Sequence, residues 1–199
     1  MGRHREFDVN EALDAALSVF WQKGYEGTSF EDLTTATGVA RPGLYAAFGK
    51  KEALFRKALD RYDSKYMSFM SEALNETRAR DVVRRILEGS VEVQTLYSAS
   101  RGCLGVNGAL ACSDEGEPIR KELVARRNAT EAALRRRLQR ARQEGDLPRS
   151  ADCAMLASYI TTINQGLAVQ AKAGASKAAL RAIVEHVLTT WPSPKGDPE

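Results

Sequence analysis

The stretch TSFEDLTTATGVARPGLYAAFGKK, residues 28–51, decides the fold. Thr28 and Glu31 stand in T-x-x-E spacing, which predicts a capping box at the start of a helix, with Ser29 as an alternative cap. Leu33 and Ala36 carry that short helix, and Gly38 breaks it. Pro42 stands near the start of a second helix, where its missing N–H costs nothing. Leu44, Tyr45 and Phe48 follow, and Gly49 closes the segment. Two short helices joined this tightly predict a helix-turn-helix: a Gly at the reversal, an apolar residue (Val39) just after it, and a small residue (Ala36) where the helices touch. The second helix of such a pair offers an exposed N-terminal face to the major groove, whose base edges carry the readable code. Arg41, Gly43 and Tyr45 fall on or near that face, and Leu44, Phe48, Phe30 and Leu33 read as core.

Outward from this stretch, nearly every segment keeps the helical period. Leu13, Leu17 and Phe20 predict a helix over about Val9–Lys23, closed by Gly24. Leu54, Ala58 and Tyr62 lie on one face of a longer helix read from Lys50 to about Glu76. Another runs from about Asp81 to Tyr97 through Val82, Ile86 and Val93. The region Gly102–Gly116 is less regular and fits a short helix through Leu104 and Leu110. Pro118 opens a long helix to about Glu144, closed by Gly145, Asp146 and Pro148. Ser150 or Asp152 caps the next, whose stripe is Leu156, Tyr159, Ile160, Ile163 and Leu167. Gly174 ends it, and Ser176 caps the last, with Leu180, Ile183, Val184, Val187, Leu188 and Trp191 before the Pro192–Pro194 stop. The expected fold is all-α, with about nine helices and no strand pair.

Gly24-Tyr25-Glu26-Gly27-Thr28-Ser29, Leu33, Gly38-Val39, Gly43-Leu44-Tyr45, Phe48 and Lys51-Glu52-Ala53-Leu54 together closely resemble the N-terminal reader of the TetR family of transcriptional regulators. The resemblance spans about Val9 to Leu59. It implies a subunit of roughly nine helices, dimerisation through the last two long helices, and a small-molecule pocket in the larger C-terminal part. Gly102-Cys103-Leu104, with Val106-Asn107, is similar to a run found in one subset of that family. By position, the resemblance places Thr28, Ser29 and Tyr45 on phosphate, Arg41 and Gly43 on bases, and Lys50 or Lys51 on phosphate at the start of the fourth helix. A hydroxyl at a helix N-terminus and an Arg before a guanine both suit those roles chemically. Two departures from the family pattern stand out. Thr34 replaces a frequent alanine, which reshapes the packing of the two short helices, and Ala40 replaces a frequent serine, which removes a hydroxyl cap.

The expected domains are 1–52, a DNA-binding reader, and 53–199, a helical effector-binding and dimerisation bundle. Leu156, Ile160, Ile163, Leu167, Ile183, Val187 and Trp191 are the expected dimer residues. Tyr62, Tyr66, Phe69, Tyr97 and Tyr159 are candidates to line an effector pocket, against the plainer reading that they are core aromatics. The expected partners are double-stranded operator DNA, a second copy of the chain and an unidentified small-molecule effector. The expected function is that of a repressor released from an inverted-repeat operator by a small-molecule effector, with activation left open by the sequence.

The chain has 199 residues and a formal charge of +3, so any claim of DNA binding must rest on where the charges sit. The densest basic run is Arg120, Lys121, Arg126, Arg127, Arg135, Arg136, Arg137, Arg140 and Arg142. Leu123, Leu134 and Leu138 keep an apolar stripe within it, so it reads as a solvated face paired to Glu122 and Glu131, with a second DNA contact as the rival. Arg3 and Arg5 suit either a minor-groove arm or plain solvation. His186 reads as packed or dimer-facing, and His4 lies far from it in sequence, so no metal site and no cofactor are expected. Cys103, Cys112 and Cys153 have no C-x-x-C spacing and read as buried thiols of a cytoplasmic protein, with a redox-sensing regulator as the alternative. No motif of an enzyme appears: no P-loop, no H-E-x-x-H and no G-x-S-x-G. No apolar run reaches the ~20 residues of a membrane span.

Overall fold

The computed structural model describes residues 7–99, 102–107 and 113–194. Its ten α-helices are α1 (Val9–Lys23), α2 (Phe30–Thr37), α3 (Arg41–Phe48), α4 (Lys51–Tyr66), α5 (Ser68–Ala73), α6 (Ala79–Gln94), α7 (Leu104–Asn107), α8 (Glu117–Glu144), α9 (Cys153–Lys172) and α10 (Lys177–Thr189). A short 3₁₀ turn, Asp114–Gly116, leads into α8, and no strand occurs among the described residues.

The helix ends follow local chemistry. Asp8, Ser29, Asp152 and Ser176 cap α1, α2, α9 and α10 with side-chain oxygens that accept first-turn N–H groups. At α2 the cap is Ser29, and its reciprocal partner is Asp32, whose carboxylate accepts the Ser29 N–H. The T-x-x-E reading is therefore corrected by one residue. Thr28 is buried, and its hydroxyl donates to the Gly24 carbonyl at 2.6 Å.

The long helix expected over Lys50–Glu76 is two helices. α4 ends at Tyr66, the backbone bends at Met67, and α5 crosses α6. Tertiary packing overrides the continuous helical period here. Phe69 lies so close to α6 that a Cβ on Gly89 would sit 2.5 Å from its ring. Arg137 of α8 then caps the end of α5, donating to the carbonyls of Leu74, Glu76 and Thr77. The short helix expected through Leu104 and Leu110 is α7 at its Leu104 end; Leu110 lies outside the described residues.

Two apolar clusters organise the subunit. One joins α1–α4 through Leu17, Phe20, Trp21, Leu33, Leu44, Phe48, Leu54 and Phe55, and takes in Leu104, Ile119 and Leu123 from α7 and α8. The other joins α6, α8, α9 and α10 through Val82, Val83, Leu87, Leu138, Ala157, Ile160, Leu180 and Val184. α4 packs on α1 with one face and borders the larger bundle with another.

Candidate nucleic-acid interface and ligand cavity

The turn between α2 and α3 is fixed by few atoms. Gly38 adopts a left-handed backbone, φ 68° and ψ 9°, which glycine reaches without steric cost. Thr37 latches the reversal: its hydroxyl donates to the Leu33 carbonyl at 2.7 Å and accepts the Val39 N–H at 3.2 Å. Leu33, Leu44 and Phe48 are buried beneath the two helices, whereas Ala36, expected at their contact, is exposed. Thr34 is half-buried and its hydroxyl donates to the Glu31 carbonyl. No side chain caps α3, as Ala40 implies.

The solvent face of α3 carries Arg41, Pro42, Tyr45 and Ala46. Arg41 is already held there. Its guanidinium lies 4.4 Å from the Phe30 ring centroid and donates to the Tyr45 hydroxyl at 3.0 Å. Tyr45 in turn stacks on Phe30, with centroids 4.9 Å apart. Gly43, expected among the base-facing residues, looks inward: a Cβ there would meet Val39 Cγ1 at 2.9 Å and Phe7 Cε1 at 3.7 Å. Ser29 and Lys50 are exposed, at the starts of α2 and α4. Lys51 is half-buried, with its ammonium 4.5 Å from the Tyr25 ring centroid, and burial pulls it below the usual lysine range. A hydrogen bond from Lys23 and two from Ser29 hold the Asp32 carboxyl at about 2, so the α2 cap stays charged.

Most of the basic run on α8 is spoken for. Arg126 bonds Asp60, Asp63 and Glu122, Arg120 and Lys121 pair with Glu117, and Arg140 pairs with Glu144. Arg137 is buried on backbone carbonyls. Arg126 ties α8 to α4, Arg137 ties it to the end of α5, and the other pairs lie within α8 itself.

Between α4, α5, α6, α7, α8 and α9 lies a cavity of about 850 Å³, within the range of sites for drug-sized ligands. Leu59, Met67, Met70, Ile86, Leu123, Leu134 and Ile160 give it apolar walls, and Asp63, Arg126 and Arg127 stand at its border. Of the five aromatics expected there, only Tyr62 lines it. Tyr66 and Tyr97 instead cluster with Trp21 of the reader, Phe69 packs on Gly89, and Tyr159 is exposed on α9. Stripe position alone does not say which side of a helix meets empty space. Cys103 also lines the cavity, and although solvent reaches part of the residue, the surrounding protein atoms push its thiol up. Cys153 is buried and Cys112 lies outside the described residues.

One segment ties cavity to reader. The Trp21 indole N–H donates to the Gly102 carbonyl at 2.9 Å, next to Cys103. Gly102 has φ +86°, and a Cβ would stand 2.9 Å from the Ala168 carbonyl of α9. Lys172, at the end of α9, donates to the Gln22 carbonyl of α1.

The outer face of α9 and α10 is apolar and exposed. Met155, Tyr159, Thr162, Gly166, Val169 and Ala173 recur in steps of four and three, and Ala179, Ile183 and His186 continue the pattern on α10. Most of the residues expected at the dimer interface lie on the other side. Ile160, Leu167, Val187 and Trp191 are buried within the subunit, and Leu156 and Ile163 pack against that same core. Only Ile183 of the expected set looks outward.

Residues 12–58 match the sequence profile described as bacterial regulatory proteins, tetR family, and residues 79–187 match that of a tetracyclin repressor-like C-terminal domain. The chain belongs to the TetR family. The HTH-type transcriptional repressor ComR of Escherichia coli (strain K12) is 34% identical over 197 residues, covering 96% of this chain and 92% of ComR. The HTH-type regulator YezE of Bacillus subtilis (strain 168) is 29% identical over 95% of this chain and 98% of its own. Among solved structures, a cysteine-substituted form of the TetR-family regulator CifR, complexed with 26 bp of double-strand operator DNA, superposes with a TM-score of 0.89. It is 40% identical, covering 96% of this chain and 100% of that one. As a TetR-family regulator, the chain uses its helix-turn-helix to bind DNA. No described helix is long and apolar enough to cross a membrane.

Proposed function

We propose that this chain is a cytoplasmic, dimeric repressor that a small molecule releases from an inverted-repeat operator. Residues 1–52 are assigned to reading and 53–199 to dimerisation and ligand binding, with α4 serving both. Two copies join through the exposed face of Met155, Tyr159, Gly166, Val169 and Ile183. Their two α3 helices then enter successive major grooves about 34 Å apart. Arg41 reads a base edge. Tyr45, Ser29, Lys50 and Lys51 take backbone phosphate, while Thr28 and Gly43 shape the reader from within.

The observation that carries this reading is the cavity itself, because its walls include α4 and the Cys103–Val106 segment, both of which also pack against the reader. A ligand filling it bears on elements that set the spacing of the two α3 helices. By linkage, a ligand that weakens operator binding must be bound less tightly by the operator complex, by the same factor. A thiol switch draws no support from Cys103, whose surroundings raise its pKa and so disfavour the reactive thiolate, or from Cys153, which is buried.

Selection of bound sequences from random duplex DNA by the purified chain tests the reading. Recovery of an inverted repeat bound by two copies is expected. Recovery of direct repeats, or of no preferred sequence, would overturn it.

A further inference from the structure

At one end of the cavity the apolar lining gives way to polar atoms that satisfy nothing. A recess of about 20 Å³ adjoins the main space, walled by Tyr62, Met67, Ser90, Val93, Gln94, Cys103, Val106 and Asn164. Five of these residues also line the larger cavity. Tyr62, Ser90 and Gln94 are almost wholly buried. The Ser90 hydroxyl, Gln94 Oε1 and Asn164 Oδ1 have no hydrogen-bond partner among the described residues, and the Tyr62 hydroxyl beside them is in reach of the Cys103 thiol and the Leu104 backbone. An unpartnered buried polar group is costly, and such groups are rare. Here α6 and α9 place such residues around one small space beside an apolar cavity.

Their chemistry restricts what completes them. Gln94 Nε2 donates to the Asn164 carbonyl at 3.5 Å, which leaves Oε1 as the buried acceptor of a side chain that lines the recess. Asn164 Oδ1 is a second acceptor, and the two hydroxyls rotate to donate or accept. The complement is therefore a group that donates at least one hydrogen bond and accepts another. Size narrows it further. The recess holds about one water-sized atom, enough for a hydroxyl and too small for a carboxylate or an amide. A carboxylate would also set negative charge against two carbonyl oxygens. Among the described residues the carboxylates lining the cavity are Asp60 and Asp63, both bonded to Arg126, and none lines the recess as a counter-ion for an ammonium.

We infer that the cavity takes an uncharged, mainly apolar alcohol, whose hydroxyl enters the recess between Tyr62, Ser90, Gln94 and Asn164 and whose hydrocarbon body fills the larger space. The inference rests on the cavity being the effector site and names the class of effector. The hydroxyl displaces or replaces a water there, donating to Gln94 Oε1 or Asn164 Oδ1 and accepting from Tyr62 or Ser90. Leu59, Met70, Leu123, Leu134 and Ile160 hold the body.

Calorimetric titration of the full chain with three probes of equal length tests this: 1-decanol, 1-methoxynonane and decanoate. The ether keeps the shape without the donor, and decanoate replaces the hydroxyl with a charge. Decanol is expected to bind at least about tenfold more tightly than either, the value of one well-made hydrogen bond. Gln94→Met should bring decanol down to the affinity of the ether while leaving the ether unchanged. Tyr62→Phe, which keeps the ring, should do so in part. Equal binding of decanol and ether, or tighter binding of decanoate on Arg127, would overturn the head-group assignment. If those probes still release operator DNA, the effector reading survives that failure. Binding by none of the three would overturn both. Decanol binding with the expected discrimination but no loss of operator affinity would uphold the alcohol site and sink the regulatory reading.

Discussion

Gly43→Ala separates two readings of the recognition helix. If Gly43 faces bases, an added methyl leaves stability intact, or raises it, and perturbs only DNA binding. The structure turns the missing Cβ inward, 2.9 Å from Val39 Cγ1. Val39 is buried and β-branched, so its side chain has little freedom to turn away. Overpacking of this kind costs about 1–3 kcal/mol. Alanine recovers about 0.8–1 kcal/mol over glycine inside a helix, so a net loss of about 1 kcal/mol is expected. Val39→Ala alone removes two buried methyls at a cost of about 2 kcal/mol. With Val39 shortened, Gly43→Ala should be neutral or stabilising by up to about 1 kcal/mol, a coupling of about 1–3 kcal/mol between the sites. Urea unfolding of the four proteins at one fixed subunit concentration measures it. Equal cost of Gly43→Ala in both backgrounds would refute the packing argument. So would unchanged stability with lowered operator affinity.

Other consequences are as direct. Arg41→Ala should cost about 1–3 kcal/mol of operator binding and relax preference at one base pair per half-site, read by competition among operator variants. Lys50→Ala should weaken operator and unrelated duplex alike and flatten the salt slope by about one unit per subunit. Trp21→Phe leaves the Gly102 carbonyl without its donor, lowers stability by about 1–2 kcal/mol, and should speed hydrogen exchange of the 102–107 amides. Arg137→Met strips the end of α5 of its donor and should cost about 1–3 kcal/mol in thermal or urea melts; an unchanged midpoint would show that water replaces it.

The reader was legible because its rules are local. Gly38, Val39, Leu44 and Phe48 stand at spacings that allow little else; the structure shifts the capping box by one residue, leaves Ala36 exposed and turns Gly43 inward. The bend at Met67 was not legible, since no Gly or Pro marks it and its cause is Phe69 meeting Gly89 twenty residues on. The outer face of α9 is hard to tell from its inner one in the sequence for a related reason. α9 is apolar on two sides, and Ile160 and Leu167 look like an interface until the inner core claims them. The signal for the outer side was available in the steps Met155, Tyr159, Thr162, Gly166 and Val169.

The cavity was the least legible part. Aromatics drew attention, yet the telling residues are polar ones on apolar stripes. Ser90 and Gln94 continue the Val82–Ile86 spacing of α6, and Asn164 falls between Ile160 and Leu167 on α9. A polar side chain at a core position is an anomaly a sequence does display, but its meaning depends on the space beside it.

Hydroxyl-radical footprinting of the selected duplex tests the central claim most directly. Two protected patches of backbone, related by a two-fold axis and centred about one helical turn apart, are predicted, and both should vanish together with Arg41→Ala and Lys50→Ala combined. A single continuous patch, or protection that survives those changes, would show that α3 is not the element that meets DNA.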